Sequence, residues 1–205
     1  MKLYYSPGAC SLSPHIALLE AGLPYDLVKV DLKAKTLENG DDYLKVNPKG
    51  QVPALGLDSG ELVTEGPVIV QMIADKAAAK NLAPARDSAE RYKLQEWLNF
   101  ITTEVHKNFS PLFNPTIPDE VKTFFKDRIM GKFKYADSKL AGQDYLMGKQ
   151  FSVADGYLFV MLKWAERTGI DLSALKNLMA FKDRVAARPN VKAALDMEAQ
   201  AQKAA

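Results

Sequence analysis

The sequence predicts a small α/β unit over residues 1–79 and an all-helical region over 87–205, joined by a linker over 80–86. Three observations predict this. Up to about residue 78, short apolar runs and helical periods alternate in the order strand, helix, strand, hairpin, helix, the pattern of a layered α/β unit. From Asp87 onward every plausible element carries a helical period. Between them, Lys80 to Arg86 is aperiodic and contains Pro84.

Lys2 to Tyr5 reads as a short strand. Leu12 to Glu20 reads as a helix with Leu12, His15, Ile16 and Leu19 on one side and Gly22 as its stop, so His15 is expected in a structural, semi-buried place. Tyr25 to Val30 reads as the second strand. Val52-Pro53 then opens the apolar stretch Val52 to Leu57, and proline, lacking an amide hydrogen, belongs at the start or edge of a strand. A trans bond is the commoner state of any X-Pro pair; a cis bond would turn the Val52 amide and carbonyl outward, ready to pair with an extended peptide. Asp58-Ser59-Gly60 is a turn between Ala54–Leu57 and Glu61–Thr64, which makes a hairpin. Gly66-Pro67 starts a helix whose apolar side is Val68, Ile69, Met72 and Ile73. The amino end of that helix suits a carboxylate, and Glu65 beside it suits an ammonium, the two charges of an α-amino acid. An ordinary acidic residue near a helix start accounts for Glu65 equally well on its own.

In the second half, Asp87 with Glu90 makes a capping-box-like start to a helix with the apolar stripe Leu94, Trp97, Leu98, Ile101 and Val105. Pro111, Pro115 and Pro118 interrupt the chain before a helix from about Asp119 to Leu140. Phe151-Ser152-Val153-Ala154-Asp155 is a capping box that fixes the start of a helix through Leu158, Met161, Leu162 and Trp164. Its hydrophobic staple is incomplete, because Gly156 stands four residues after Ser152; Phe151 is expected to pack on Tyr157 instead.

Bulk properties exclude several classes. A net charge of +2, with lysines spread along the chain, gives no basic block for nucleic acid. No apolar run approaches the ~20 residues of a membrane span, and the amino terminus lacks the apolar core of a signal peptide, so a cytoplasmic protein is expected. A single cysteine rules out an intramolecular disulfide and any multi-cysteine metal site, and two histidines without ligand spacing lead to the expectation of no metal.

Chemistry centres on Cys10. A lone cysteine is more often an inert, buried small hydrophobe, but this one follows Pro7-Gly8-Ala9 in the turn between strand and helix, where helix amides stabilise a thiolate. Asn99, Thr103 and His106, separated by four and three residues, share one helical stripe, which is either a solvated polar face or part of a site. Lys33-Ala34-Lys35 is equally readable as a solvated loop.

Taken together, Tyr4-Tyr5-Ser6-Pro7-Gly8-Ala9-Cys10-Ser11, Asn47-Pro48-Lys49-Gly50-Gln51-Val52-Pro53, Thr64-Glu65-Gly66-Pro67 and the helical second half resemble the beta class of bacterial glutathione S-transferases over essentially the whole chain. The resemblance implies a thioredoxin-like first domain with Pro53 in the cis form, an all-helical second domain, and glutathione as co-substrate. It implies Cys10 against the glutathione sulfur, with Tyr5, Ser11 and His106 as further candidates to stabilise the thiolate. It carries Lys35 over as the cation for the glycine carboxylate, Gln51, Val52 and Pro53 as the turn that pairs with the cysteinyl backbone, and Glu65 with Gly66 as the γ-glutamyl site. Asn99, Thr103, Glu104, Val105 and His106 follow from the helical domain, residues near Glu104 reaching the neighbouring subunit of a homodimer. The family commonly has serine where this chain has Gly66, which removes one hydroxyl contact. An apolar electrophile site is expected around Phe109, Phe113 and Trp164. Two other functions share these residues: monothiol disulfide exchange through Cys10, and non-catalytic binding on the same fold.

Overall fold

The computed structural model describes residues 1–203. Packing divides them into two units: Met1–Ala83 together with the last helix, and Pro84–Arg188. In the first unit, β1 (Lys2–Tyr5), α1 (Leu12–Ala21) and β2 (Asp26–Asp31) form part of the expected α/β layer, β1 and β2 pairing in parallel. The short β3 (Thr36–Leu37), too brief to leave a periodic signal, extends the β2 edge. β4 (Ala54–Gly56) and β5 (Leu62–Thr64) make the hairpin, β4 running antiparallel to β1, so the sheet order is β3-β2-β1-β4-β5. Helix α2 (Gly66–Lys76) packs against α1.

Alternation along β1 sorts the core. Leu3 and Tyr5 are buried, while Tyr4 joins Val30, Tyr43 and Val52 in a separate cluster with Ala9, Leu32, Leu37 and Val46. Gly22 ends α1 with φ of 65°, a left-handed position in which the Leu23 amide reaches back to the Leu18 carbonyl.

The last helix, α8 (Pro189–Lys203), packs on α1, so the residues after 188 join the first unit and not the helical one. The cause is polar as well as apolar. Glu198, buried, accepts the Gly8 amide at 2.9 Å through Oε2 and meets His15 Nδ1 at 3.2 Å through Oε1. Lys29 adds a bond to the Ala201 carbonyl. His15 is thus structural, completely buried and flanked by the rings of Tyr5 and Tyr25.

The second unit is helical throughout: α3 (Ala89–Phe100), a π-helical segment (Ile101–His106), α4 (Lys107–Phe109), α5 (Asp119–Lys139), α6 (Val153–Arg167) and α7 (Lys176–Ala186). Ser88, one residue after the expected cap, takes the N-cap of α3, its hydroxyl accepting the Arg91 amide. The box before α6 is present. Asp155 is fully buried; its Oδ2 accepts the Ser152 amide at 2.7 Å and the Ser152 hydroxyl at 2.8 Å, and its Oδ1 accepts the Leu146 amide at 2.8 Å. Burial pushes this carboxyl up to about 6, against the pull of those hydrogen bonds and of Arg188. Phe151 packs edge to face on Tyr145, with the Arg188 guanidinium 4.2 Å from its ring centre.

Candidate functional site

In the first unit the loop between β1 and α1 is fixed from within. Ser11 is fully buried, its Oγ accepting the Ser6 amide at 3.1 Å and donating to the Ser6 carbonyl at 3.2 Å. Ser11 thereby shapes the loop that carries Cys10. Tyr5 is buried beside His15, and its hydroxyl is held above the usual phenol range by burial, then by the charges of Glu198 and Glu38. Cys10 remains half-buried at the end of the loop and donates its thiol hydrogen to the Val52 carbonyl at 3.3 Å.

The Val52-Pro53 bond is cis. One residue earlier, the Gln51 carbonyl accepts both the Tyr43 hydroxyl and the Asn47 side-chain amide at 2.8 Å each, so this turn is clamped from behind. Among the described residues the Val52 amide has no hydrogen-bond partner. Lys35 sits in a left-handed conformation (φ 60°) and reaches the Gly50 carbonyl with Nζ at 2.8 Å. Lys35, Gln51, Val52 and Cys10 therefore form one contiguous surface. Glu65 stands at the start of α2 with φ of 68°, a conformation costing a non-glycine residue of order 1–3 kcal/mol. Its exposed carboxylate lies 2.8 Å from Lys49 Nζ. Gly66 follows, and a Cβ there would come no closer than 3.7 Å to Pro53 Cγ.

In the second unit the widened π turn splits the expected stripe. Asn99 and Thr103 are exposed, whereas His106 is largely withdrawn. Side-chain bonds to carbonyls four residues back support the segment: Thr102 to Leu98, Thr103 to Asn99 and Asn108 to Glu104. Such π turns are frequent at functional sites. Glu104 pairs with Lys132 at 2.7 Å, which lowers its carboxyl below the usual range. Val105 is wholly buried and continues the apolar stripe that begins at Leu94.

His106 is held by α6. Its Nδ1 lies 2.5 Å from the Tyr157 hydroxyl, and its ring meets Trp164 edge to face with centres 4.9 Å apart. Burial, then the charge of Lys107, drops its pKa to about 4, so the ring is neutral at physiological pH. Phe109, Phe113 and Trp164 come together as expected, with ring centres 5.0–6.3 Å apart, and Phe113 is partly exposed. The Arg167 guanidinium lies over Phe113 at 5.6 Å.

Sequence reasoning missed four residues. Asn47 stands inside a motif that was singled out, and Tyr43 just upstream of it. Glu198 follows Val191 and Ala194 at helical spacing, an acid on an apolar face, which is the signal that could have revealed it. Tyr157 left no signal beyond lying on the buried helix α6.

A cysteine donating to the residue before a cis-proline, an acid of positive φ at a helix start and a following helical unit make up a glutathione-transferase type of protein. Residues 8–76 match the glutathione S-transferase N-terminal domain and residues 100–189 the glutathione S-transferase C-terminal domain. The chain belongs to the glutathione S-transferase family. It is 48% identical over 198 residues to glutathione S-transferase GstA of Escherichia coli O157:H7, covering 97% of this chain and 98% of that protein. Among solved structures, a ternary complex of the bacterial transferase BphK matches with a TM-score of 0.95 and 55% identity, covering 97% of this chain and all of the other. A beta-class transferase of Sphingomonas chungbukensis matches at 0.94 and 50%, covering 97% and 98%. The fold is the thioredoxin-like plus helical architecture of that family.

Proposed function

We propose that this chain is a glutathione S-transferase that binds glutathione on the first unit and promotes attack of its thiolate on apolar electrophiles. The observation that carries the reading is the Cys10 thiol donating to the Val52 carbonyl while the Val52 amide is left available, beside Lys35 and Gln51. An extended tripeptide pairs with such an edge as an added strand does. Lys35 takes the glycine carboxylate, Glu65 the γ-glutamyl ammonium, and the Gly66 end of α2 its carboxylate.

In the reaction the glutathione thiol gives its proton to solvent. The sulfur pair then forms the S–C bond as the bond to the leaving group breaks and that group departs with its electrons. An ordinary thiol of pKa about 8.5 is only about 3% ionised at pH 7, and a pKa near 6.5 makes roughly 25-fold more thiolate. Cys10 and His106 are the groups assigned to that stabilisation. On this reading Asn99 and Thr103 join His106 over the glutathione sulfur, residues near Glu104 reach the γ-glutamyl group of the neighbouring subunit, and Phe109, Phe113 and Trp164 meet the electrophile. On this reading the protein is a cytoplasmic homodimer that acts in detoxification, and the reaction calls on no metal. Relatives support the co-substrate: a sphingomonad transferase complexed with glutathione is 50% identical.

Calorimetric titration with glutathione, followed by turnover of aryl halides, epoxides and mixed disulfides by wild type and Cys10→Ala, tests the proposal. Conjugation that survives in Cys10→Ala while disulfide reduction is lost assigns Cys10 to redox chemistry alone. No glutathione binding would overturn the reading and leave a binding protein of the same fold.

A further inference from the structure

We propose that Tyr157 is a positioning residue for His106: its phenol donates to Nδ1, so the imidazole carries its own hydrogen on Nε2 and presents that N–H as a fixed neutral donor. This rests on the preceding reading, in which His106 serves the glutathione sulfur.

The geometry supplies the argument. Oη and Nδ1 are 2.5 Å apart, and the two rings stand edge to face at 84° with centres 5.8 Å apart. Either group could donate in principle. A phenol is the stronger acid and an imidazole nitrogen the stronger base, so O–H···N is the better-matched pairing than N–H···O. Tyr157 is itself buried on α6, five residues after the Ser152 cap, which fixes its height along the helix. Trp164, two turns further on the same helix, closes the other side of the imidazole. The charges around the ring are cationic or already paired: Lys107 follows it directly, and Glu104 is engaged by Lys132. None supplies an anion to the ring, so a neutral imidazole is the stable state there.

One consequence is chemical. With Nδ1 occupied and Nε2 protonated, the ring has no lone pair to offer, and His106 cannot act as the base that takes the thiol proton. It stabilises the thiolate by donation, and the proton leaves to solvent. Removing the Tyr157 hydroxyl lets the ring turn, and the donor is lost from its aimed position.

The test uses the full-length protein. A nitrogen-15 correlation spectrum of the histidine side chains reads the His106 tautomer directly, in the presence and absence of glutathione. Wild type is expected to show Nε2 protonated and Nδ1 bare; Nδ1 protonated overturns the proposal. Tyr157→Phe, His106→Phe and the double variant are then compared by the pKa of the bound glutathione thiol, followed through thiolate absorbance. Tyr157→Phe is expected to raise that pKa by about half to one unit, roughly three- to tenfold less thiolate at neutral pH, and to add nothing to His106→Phe. Equal effects of Tyr157→Phe in both backgrounds would show that Tyr157 acts through packing and refute its positioning role. The tautomer needs no turnover to be read, so a protein that fails to bind glutathione sinks the transferase reading while the spectrum still decides this one.

Discussion

Replacing Asp155 by asparagine tests how the helical unit is anchored. The carboxylate uses both oxygens, one for the Leu146 amide and the other for the Ser152 amide and hydroxyl, at 2.7–2.8 Å in a fully buried place. Asparagine offers one oxygen only, so a backbone N–H must face an NH2 group, and an unsatisfied buried donor costs about 1–3 kcal/mol. A loss of about 2 kcal/mol lowers the melting temperature by roughly 4–8 °C in a chain of this size. The pH dependence is the sharper part. The folded carboxyl sits at about 6, against 3.8 for the ordinary group. As pH falls the folded protein therefore takes up this proton first, and stability from this group rises as pH drops through 6 and levels off below the unfolded value. Wild type gains about 1 kcal/mol between about pH 7.5 and about pH 5 that Asp155→Asn lacks, and titrations common to both proteins cancel in the difference. Urea unfolding at the two pH values should show the stability gap widening toward acid. A gap that stays flat or narrows would refute the burial argument.

Four further outcomes are expected. Gly66→Ser fits, because its Cβ meets only Pro53 Cγ at 3.7 Å, and the added hydroxyl should tighten glutathione by about fivefold in a calorimetric titration, about 1 kcal/mol. Lys35→Met removes a charge-assisted contact worth about 1.5–3 kcal/mol and should weaken glutathione at least about tenfold while thermal stability changes little. Glu65→Gly relieves a left-handed residue yet deletes its carboxylate, so the melting temperature should hold or rise as glutathione affinity falls; a fall in both would remove the case for strain held in service of binding. Glu198→Ala removes the acceptor of the Gly8 amide and the partner of the fully buried His15 and should cost about 2–4 kcal/mol in chemical denaturation.

Much of the first unit was legible because its signals are local. Gly22, Asp58-Ser59-Gly60 and Gly66-Pro67 each dictate backbone geometry within a few residues, and the helix ends and hairpin stand where they place them. Lys35, Gln51, Val52 and Cys10 were legible as a set only through the resemblance, since they come from three separate stretches of the chain. The burial of Ser11 and Tyr5 was not legible, because a hydroxyl near a thiol looks the same in sequence whether it is open or closes a loop, and burial is a tertiary property. The stripe Asn99–Thr103–His106 assumed a regular helix, and the π turn between Ile101 and His106 separates its members. The place of α8 could not be read from spacing, because Glu198 finds its partners at Gly8 and His15, more than 180 residues earlier.

That last pairing sets an order of events during synthesis. The first eighty residues leave the ribosome before the helical unit and Glu198 are made. Until Glu198 emerges its bonds to Gly8 and His15 cannot form, so the α/β unit reaches its final packing only after the intervening helical unit has been synthesised.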